Sequence, residues 1–111
     1  MKTIKLTSAL FFSLALSASP SFGESLSGNW KDVGGAYGGG TVQIKQSGNR
    51  LTGSYRPGEF FECTFEGGKC SGTYNQGDVN GPFELQVVNP DRLKGREWYR
   101  NQWQDDVDWR R

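Results

Sequence analysis

The chain of 111 residues contains no histidine, which removes the side chain most used as a general base and as a metal ligand near neutral pH. It has 2 cysteines and 1 methionine. No G-x-S-x-G, no phosphate-cradling glycine loop and no zinc-type cysteine spacing occurs. Helical periodicity is missing after residue 23, where apolar residues alternate in short runs broken by glycine or asparagine. Leucine, isoleucine and valine are few, and aromatic residues, 14% of the chain, stand in for them. These absences point away from most hydrolytic, nucleotide-binding and metal-dependent chemistry. The expectation is an all-β protein that is not an enzyme and carries neither cofactor nor metal.

One greasy run is present, and it sits at the start. Met1-Lys2-Thr3-Ile4-Lys5 precedes an apolar stretch over residues 6–18, then small residues and a proline. A basic start, a short apolar middle and a small-residue exit describe a secretory signal peptide, too short to span a bilayer comfortably. Ser21-Phe22-Gly23 suits small-x-small cleavage, so residues 1–23 are predicted to be a leader and 24–111 a single domain. The expected destination is the periplasm or the exterior, with no membrane span. Without Lys2 and Lys5 the balance is 11 basic to 12 acidic residues, which argues against a dedicated nucleic-acid binder.

So small a domain buries limited surface and gains from cross-linking. Cys63 and Cys70 are bound for an oxidising compartment and are expected to form a disulfide. They flank Glu66-Gly67-Gly68-Lys69, a hairpin turn. A two-residue Gly67-Gly68 turn sets them diagonally, farther apart than a disulfide prefers, so a bulge or shifted turn is expected to close the gap.

The recurring signal is apolar-x-Gly-x-aromatic. It reads Leu51-Thr52-Gly53-Ser54-Tyr55, Cys70-Ser71-Gly72-Thr73-Tyr74 and, with one residue inserted, Leu93-Lys94-Gly95-Arg96-Glu97-Trp98, with Leu26-Ser27-Gly28-Asn29-Trp30 as an opening variant. Period-two alternation marks strands with one buried face, and a glycine on that face lets a neighbouring strand or ring approach. Strands are predicted over 26–32, 41–46, 50–55, 60–66, 70–74, 82–88 and 92–99, with a weak eighth within 103–110. A glycine-rich segment separates the first two, and residues 75–81 are expected to form a longer loop. A conflict of phase before Phe61, Cys63 and Phe65 calls for a bulge near Glu59 or Phe60. Seven or eight sequential antiparallel strands bury their apolar face best by curling, which predicts an up-and-down meander forming a closed or half-open barrel. A β-sandwich is the alternative.

Leu26-Ser27-Gly28-Asn29-Trp30, Gly40-Thr41-Val42-Gln43-Ile44 and Leu51-Thr52-Gly53-Ser54-Tyr55 are similar to the opening strands of avidin-like proteins, and lipocalin-like barrels share the early G-x-W. The whole stretch from residue 24 resembles a recurrent G-x-W / L-x-G-x-Y β-meander module of bacterial exported proteins that has no assigned chemistry. Gly81-Pro82-Phe83-Glu84-Leu85 and Trp109-Arg110-Arg111 fit the second half of that module. The avidin likeness would place Tyr55 at a biotin-contacting tyrosine. Glycines stand where that family has a polar residue after the first strand, and its later tryptophan-bearing strands are missing.

Trp30, Tyr55, Tyr74 and Trp98 are expected to face inward, either as core or around a cavity at one barrel mouth that takes a small apolar or sugar-like ligand. Trp103 and Trp109 lie among charged residues. They plug the barrel, pair with its first strand, or form an exposed patch for a partner protein or glycan. Asp105, Asp106 and Asp108 form the densest acidic cluster; it reads as a solvated turn balancing nearby arginines, with calcium ligation as the alternative. The leading functional expectation is an exported, non-enzymatic binding module. The alternative is an inhibitor or accessory protein acting through its loops and C-terminal aromatic segment.

Overall fold

The computed structural model describes residues 25–111, so the expected leader lies outside the described residues. The chain folds into eight antiparallel strands in sequential order: β1 Gly28–Asp32, β2 Thr41–Ser47, β3 Arg50–Arg56, β4 Glu59–Glu66, β5 Lys69–Gln76, β6 Val79–Asn89, β7 Arg92–Tyr99 and β8 Gln102–Arg110. Each pairs with the next, and β1 returns to β8 through Lys31↔Arg110 and Asp32↔Trp109, closing an up-and-down barrel. The expected barrel is therefore what forms, and the sandwich is not. No helix among the described residues is long and apolar enough to cross a membrane.

Alternation builds the filling. Val42 and Ile44, then Phe61, Cys63 and Phe65, then Phe83 and Leu85 all point inward and are buried. The motif glycines let this happen at a small radius. Gly53 lies opposite Phe61, and that ring covers the place a side chain would occupy. Gly72 and Gly95 sit so close to the next strand that an added Cβ would run into the backbone carbonyls of Glu62 and Glu84.

Cys63 and Cys70 form a disulfide, with their Cα atoms 5.3 Å apart. Neither the expected bulge nor a shifted turn is present: Phe65 pairs with Cys70 and Cys63 with Gly72 around Gly67-Gly68. The diagonal closes because Gly72, without a side chain, lets the two backbones approach opposite Cys63. A sequence separation of 7 makes this a short loop, worth about 2–3 kcal/mol on chain-entropy grounds.

The bulge expected near Glu59 or Phe60 forms, with Tyr55 of β3 as the extra residue between Ser54↔Phe60 and Arg56↔Glu59. One other expectation is corrected. Residues 75–81 are not a long loop: β5 runs to Gln76 and β6 opens at Val79. Gly77, with φ of 74°, donates its N–H to the Asn75 side chain at 3.1 Å, which tightens the connection into a two-residue hairpin.

Candidate functional site

The structure sets aside two places, one at a barrel mouth and one on the outer wall. At the mouth, Asp32 is 2% exposed at the end of β1. Its carboxylate accepts backbone N–H groups from Gly35, Tyr37 and Gly39 at 3.1, 2.8 and 2.9 Å. This folds the 33–40 segment back over the opening, with Gly35, Gly38 and Gly39 in the left-handed region that such a compact turn demands. Tyr37 is thereby driven into the barrel and is 2% exposed. Its ring stacks on Tyr55 at 4.1 Å with planes 6° apart and touches Trp109 at 5.8 Å. Its hydroxyl donates to Glu97 Oε1 at 3.2 Å.

Glu97 is the unexpected member. β7 keeps strict alternation, so Leu93, Gly95 and Glu97 face inward, and Glu97 is 5% exposed. On the facing strand the register shifts, with Asp105 and Asp106 together opposing Arg96, and Asp106 comes to face Glu97. Burial first, then the Asp106 charge, pushes the Glu97 carboxyl up to about 7, and burial raises Asp106 too. The two acids thus behave as a pair that shares a proton. Burial holds the Tyr37 and Tyr55 phenols far above their ordinary range and lifts Tyr74 to about 12. Trp109 Nε1 is buried without a hydrogen-bond partner.

The second place is the tip of the β7–β8 hairpin. Trp98 pairs across the strands with Trp103, their rings edge to face at 5.5 Å, and Trp98 is 37% exposed. The Arg96 guanidinium lies 4.2 Å over the Trp103 ring and also donates to Glu84 at 2.9 Å. That donation holds the Glu84 carboxyl below its usual range. The hairpin turns through Arg100 and Asn101, both left-handed with φ of 55° and 64°, where glycine would be unstrained. The Arg100 guanidinium packs 5.0 Å from the Tyr99 ring. Next to Arg96 a surface groove of about 590 Å3 runs past Lys69, Glu84, Gln86 and Lys94.

The residues expected to share a ligand cavity are not brought together. Tyr55 belongs to the ring stack. Tyr74 is buried and spends its hydroxyl on the Trp98 carbonyl at 2.7 Å. Trp30 is buried beside the N-terminal segment, donating to Leu26 O at 2.9 Å under the Arg111 guanidinium. Trp98 faces out, not in, because the residue inserted after Gly95 moves it to the opposite face of the strand. Of the alternatives for the two C-terminal tryptophans, Trp103 lies half-buried on the outer face against Trp98, whereas Trp109 is wholly buried, packed against Phe61 at 5.1 Å and paired with β1, so it cannot meet a partner. The aspartates disperse as well: Asp105 borders the outer groove, Asp106 turns to Glu97, and Asp108 binds Arg92 at 3.1 Å. Among the described residues no three potential ligands gather around a metal position.

Sequence reasoning missed Tyr37, Asp32 and Glu97. A strict count of two from Gly95 would have found Glu97, while the aspartate ahead of a glycine-rich turn was the one local hint of Asp32. Compared with protein-family models, curated proteins and solved structures, the chain has no match in any of the three.

Proposed function

We propose that the protein is an exported, non-enzymatic β-barrel that engages a partner protein through the outer face of its β7–β8 tip. The observation that carries this reading is the exposed Trp98, set edge to face against Trp103 and flanked by Arg96 and Arg100. Tryptophan, tyrosine and arginine are the residues that dominate protein interfaces, and the tip carries Trp98, Trp103, Tyr99, Arg96 and Arg100. The neighbouring groove, with charges of both signs, supplies a polar rim. The hairpin turn requires a left-handed residue at position 100, and an arginine there in place of glycine is a local cost, as expected of a binding tip. The disulfide and the basic, apolar start of the chain support export, and a place among the exported β-meander modules fits the same reading.

The test uses the immobilised protein and exported proteins of the source cell, with Trp98→Ala/Trp103→Ala and, as a control on the opposite wall, Phe60→Ala, whose side chain belongs to a residue 48% exposed. A partner retained by the parent and the control should bind the double variant at least about tenfold more weakly. Equal retention by a double variant that melts like the parent refutes the assignment.

A further inference from the structure

We propose that the barrel mouth is a binding slot for a planar aromatic ring bearing a hydroxyl or amine donor, and that Tyr37 is its built-in occupant. Tyr37 comes from the 33–40 segment and not from the barrel wall, so its side chain enters the mouth as a ligand would. Its three contacts need nothing but a phenol: a flat face on Tyr55, an edge toward Trp109 and a hydroxyl donated to Glu97. The slot also offers more than Tyr37 uses. Trp109, 0% exposed, flanks the Tyr37 ring with its indole N–H unpartnered. Buried polar groups without partners are uncommon in native folds and point to a group that completes them. A tyrosine side chain carries one polar atom, whereas a free ring with a second substituent could satisfy another.

The strap that holds Tyr37 is local. Its anchors are the three N–H bonds to Asp32, the bond from the Asp32 N–H to Gly40 O at 2.9 Å, one bond within the segment from Gly38 N–H to Gly35 O at 3.2 Å, and those from the Val33 and Gly34 N–H groups to Asp108 O. Releasing residues 35–39 breaks no strand pairing, because β1 ends at Asp32 and β2 begins at Thr41. A free ring therefore competes with an intramolecular one, and its apparent affinity is lowered by the fraction of molecules that stay closed.

p-Cresol, the tyrosine side chain as a free molecule, is the probe, with toluene as the ring lacking a donor. In Tyr37→Ala, p-cresol should raise the melting temperature in a saturable way, at a concentration about tenfold below that at which toluene does so. In the parent, millimolar p-cresol should speed amide exchange at Gly35, Tyr37 and Gly39 as the strap lifts. If Tyr37→Ala does not fold, Tyr37→Phe keeps the packing and loses the Glu97 contact, and p-cresol should open its strap at about tenfold lower concentration than in the parent. Equal effects of p-cresol and toluene on Tyr37→Ala, or no effect of either, overturn the slot. Unchanged exchange in the parent overturns the claim that Tyr37 yields to a ligand, and so does equal opening of Tyr37→Phe and the parent.

Discussion

Raising the pH from 5 to 8 should destabilise this protein, the reverse of the usual behaviour of a carboxylate-rich surface. Glu97 titrates near 4.5 when unperturbed and at about 7 inside the barrel, where burial and Asp106 disfavour its charge. In that interval the folded state holds more protons than the unfolded chain, so unfolding free energy falls as pH rises through the window and the loss is complete above the folded value. Each tenfold change in proton affinity is worth ~1.4 kcal/mol, which puts the loss at no more than about 3 kcal/mol. For a domain of this size that is about 10 °C or more in melting temperature. The groups facing Glu97 are Asp32 from β1, Tyr37 from the strap and Asp106 from β8, with Tyr55 and Tyr74 nearby. Asp106 is raised as well and acts in the same direction. Glu84 and Asp108, lowered by arginine partners, contribute stability that disappears only as the pH drops below the ordinary carboxylate range. The chain has no histidine, so the window is free of the side chain that usually obscures it. Urea denaturation at pH 5, 6, 7 and 8 reads the effect directly. Glu97→Gln, which keeps the shape of the protonated acid, should match the parent at pH 5 within about 1 kcal/mol and exceed it at pH 8. Stability that is flat or rises from pH 5 to 8 in the parent refutes the buried acid pair, as does a slope that is undiminished in Glu97→Gln.

Gly95→Ala should cost about 2–3 kcal/mol in thermal or chemical denaturation, because its Cβ would be driven into the Glu84 carbonyl, whereas Gly40→Ala, with open space around it and an ordinary φ, should stay within about 0.5 kcal/mol of the parent. Arg100→Gly should stabilise the protein by about 1 kcal/mol by relieving the left-handed arginine, and should weaken partner capture if the tip is the interface.

The barrel was legible because the strands keep a period of two over most of their length and each turn carries glycine, asparagine or proline. Val42 and Ile44, Phe61, Cys63 and Phe65, and Phe83 and Leu85 all lie on the faces that counting assigns them. What was not legible depends on one-residue offsets. The bulge beside Glu59 and Phe60 shows as a conflict of phase that does not say which strand carries it, the one opposite Arg96 leaves no signal, and each decides which residues meet across the barrel. The hairpin at Gly77 looked like a loop because its polar residues suit solvent and strand alike. Tyr37 was hidden for another reason. A segment with so many glycines reads as flexible, yet a buried carboxylate with three N–H donors fixes it, and only the fold reveals that Asp32 is buried.

The mouth and the tip depend on one register. Glu97 and Trp98 are consecutive in β7, the first turned into the barrel and the second out of it. The Tyr74 hydroxyl, donated to the Trp98 carbonyl from the barrel wall, fixes the peptide that follows Trp98. Removing the one residue that distinguishes Leu93-Lys94-Gly95-Arg96-Glu97-Trp98 from the other glycine motifs would exchange the two faces. Tryptophan would then fill the mouth and glutamate would meet solvent, as core packing alone would favour. The inserted residue does the opposite, burying an acid and exposing a large aromatic ring, two costs on adjacent residues that the fold does not require. A single choice of register that incurs both is better explained by use of the two surfaces than by packing, and that is why β7, more than any other strand, carries the functional reading of this barrel.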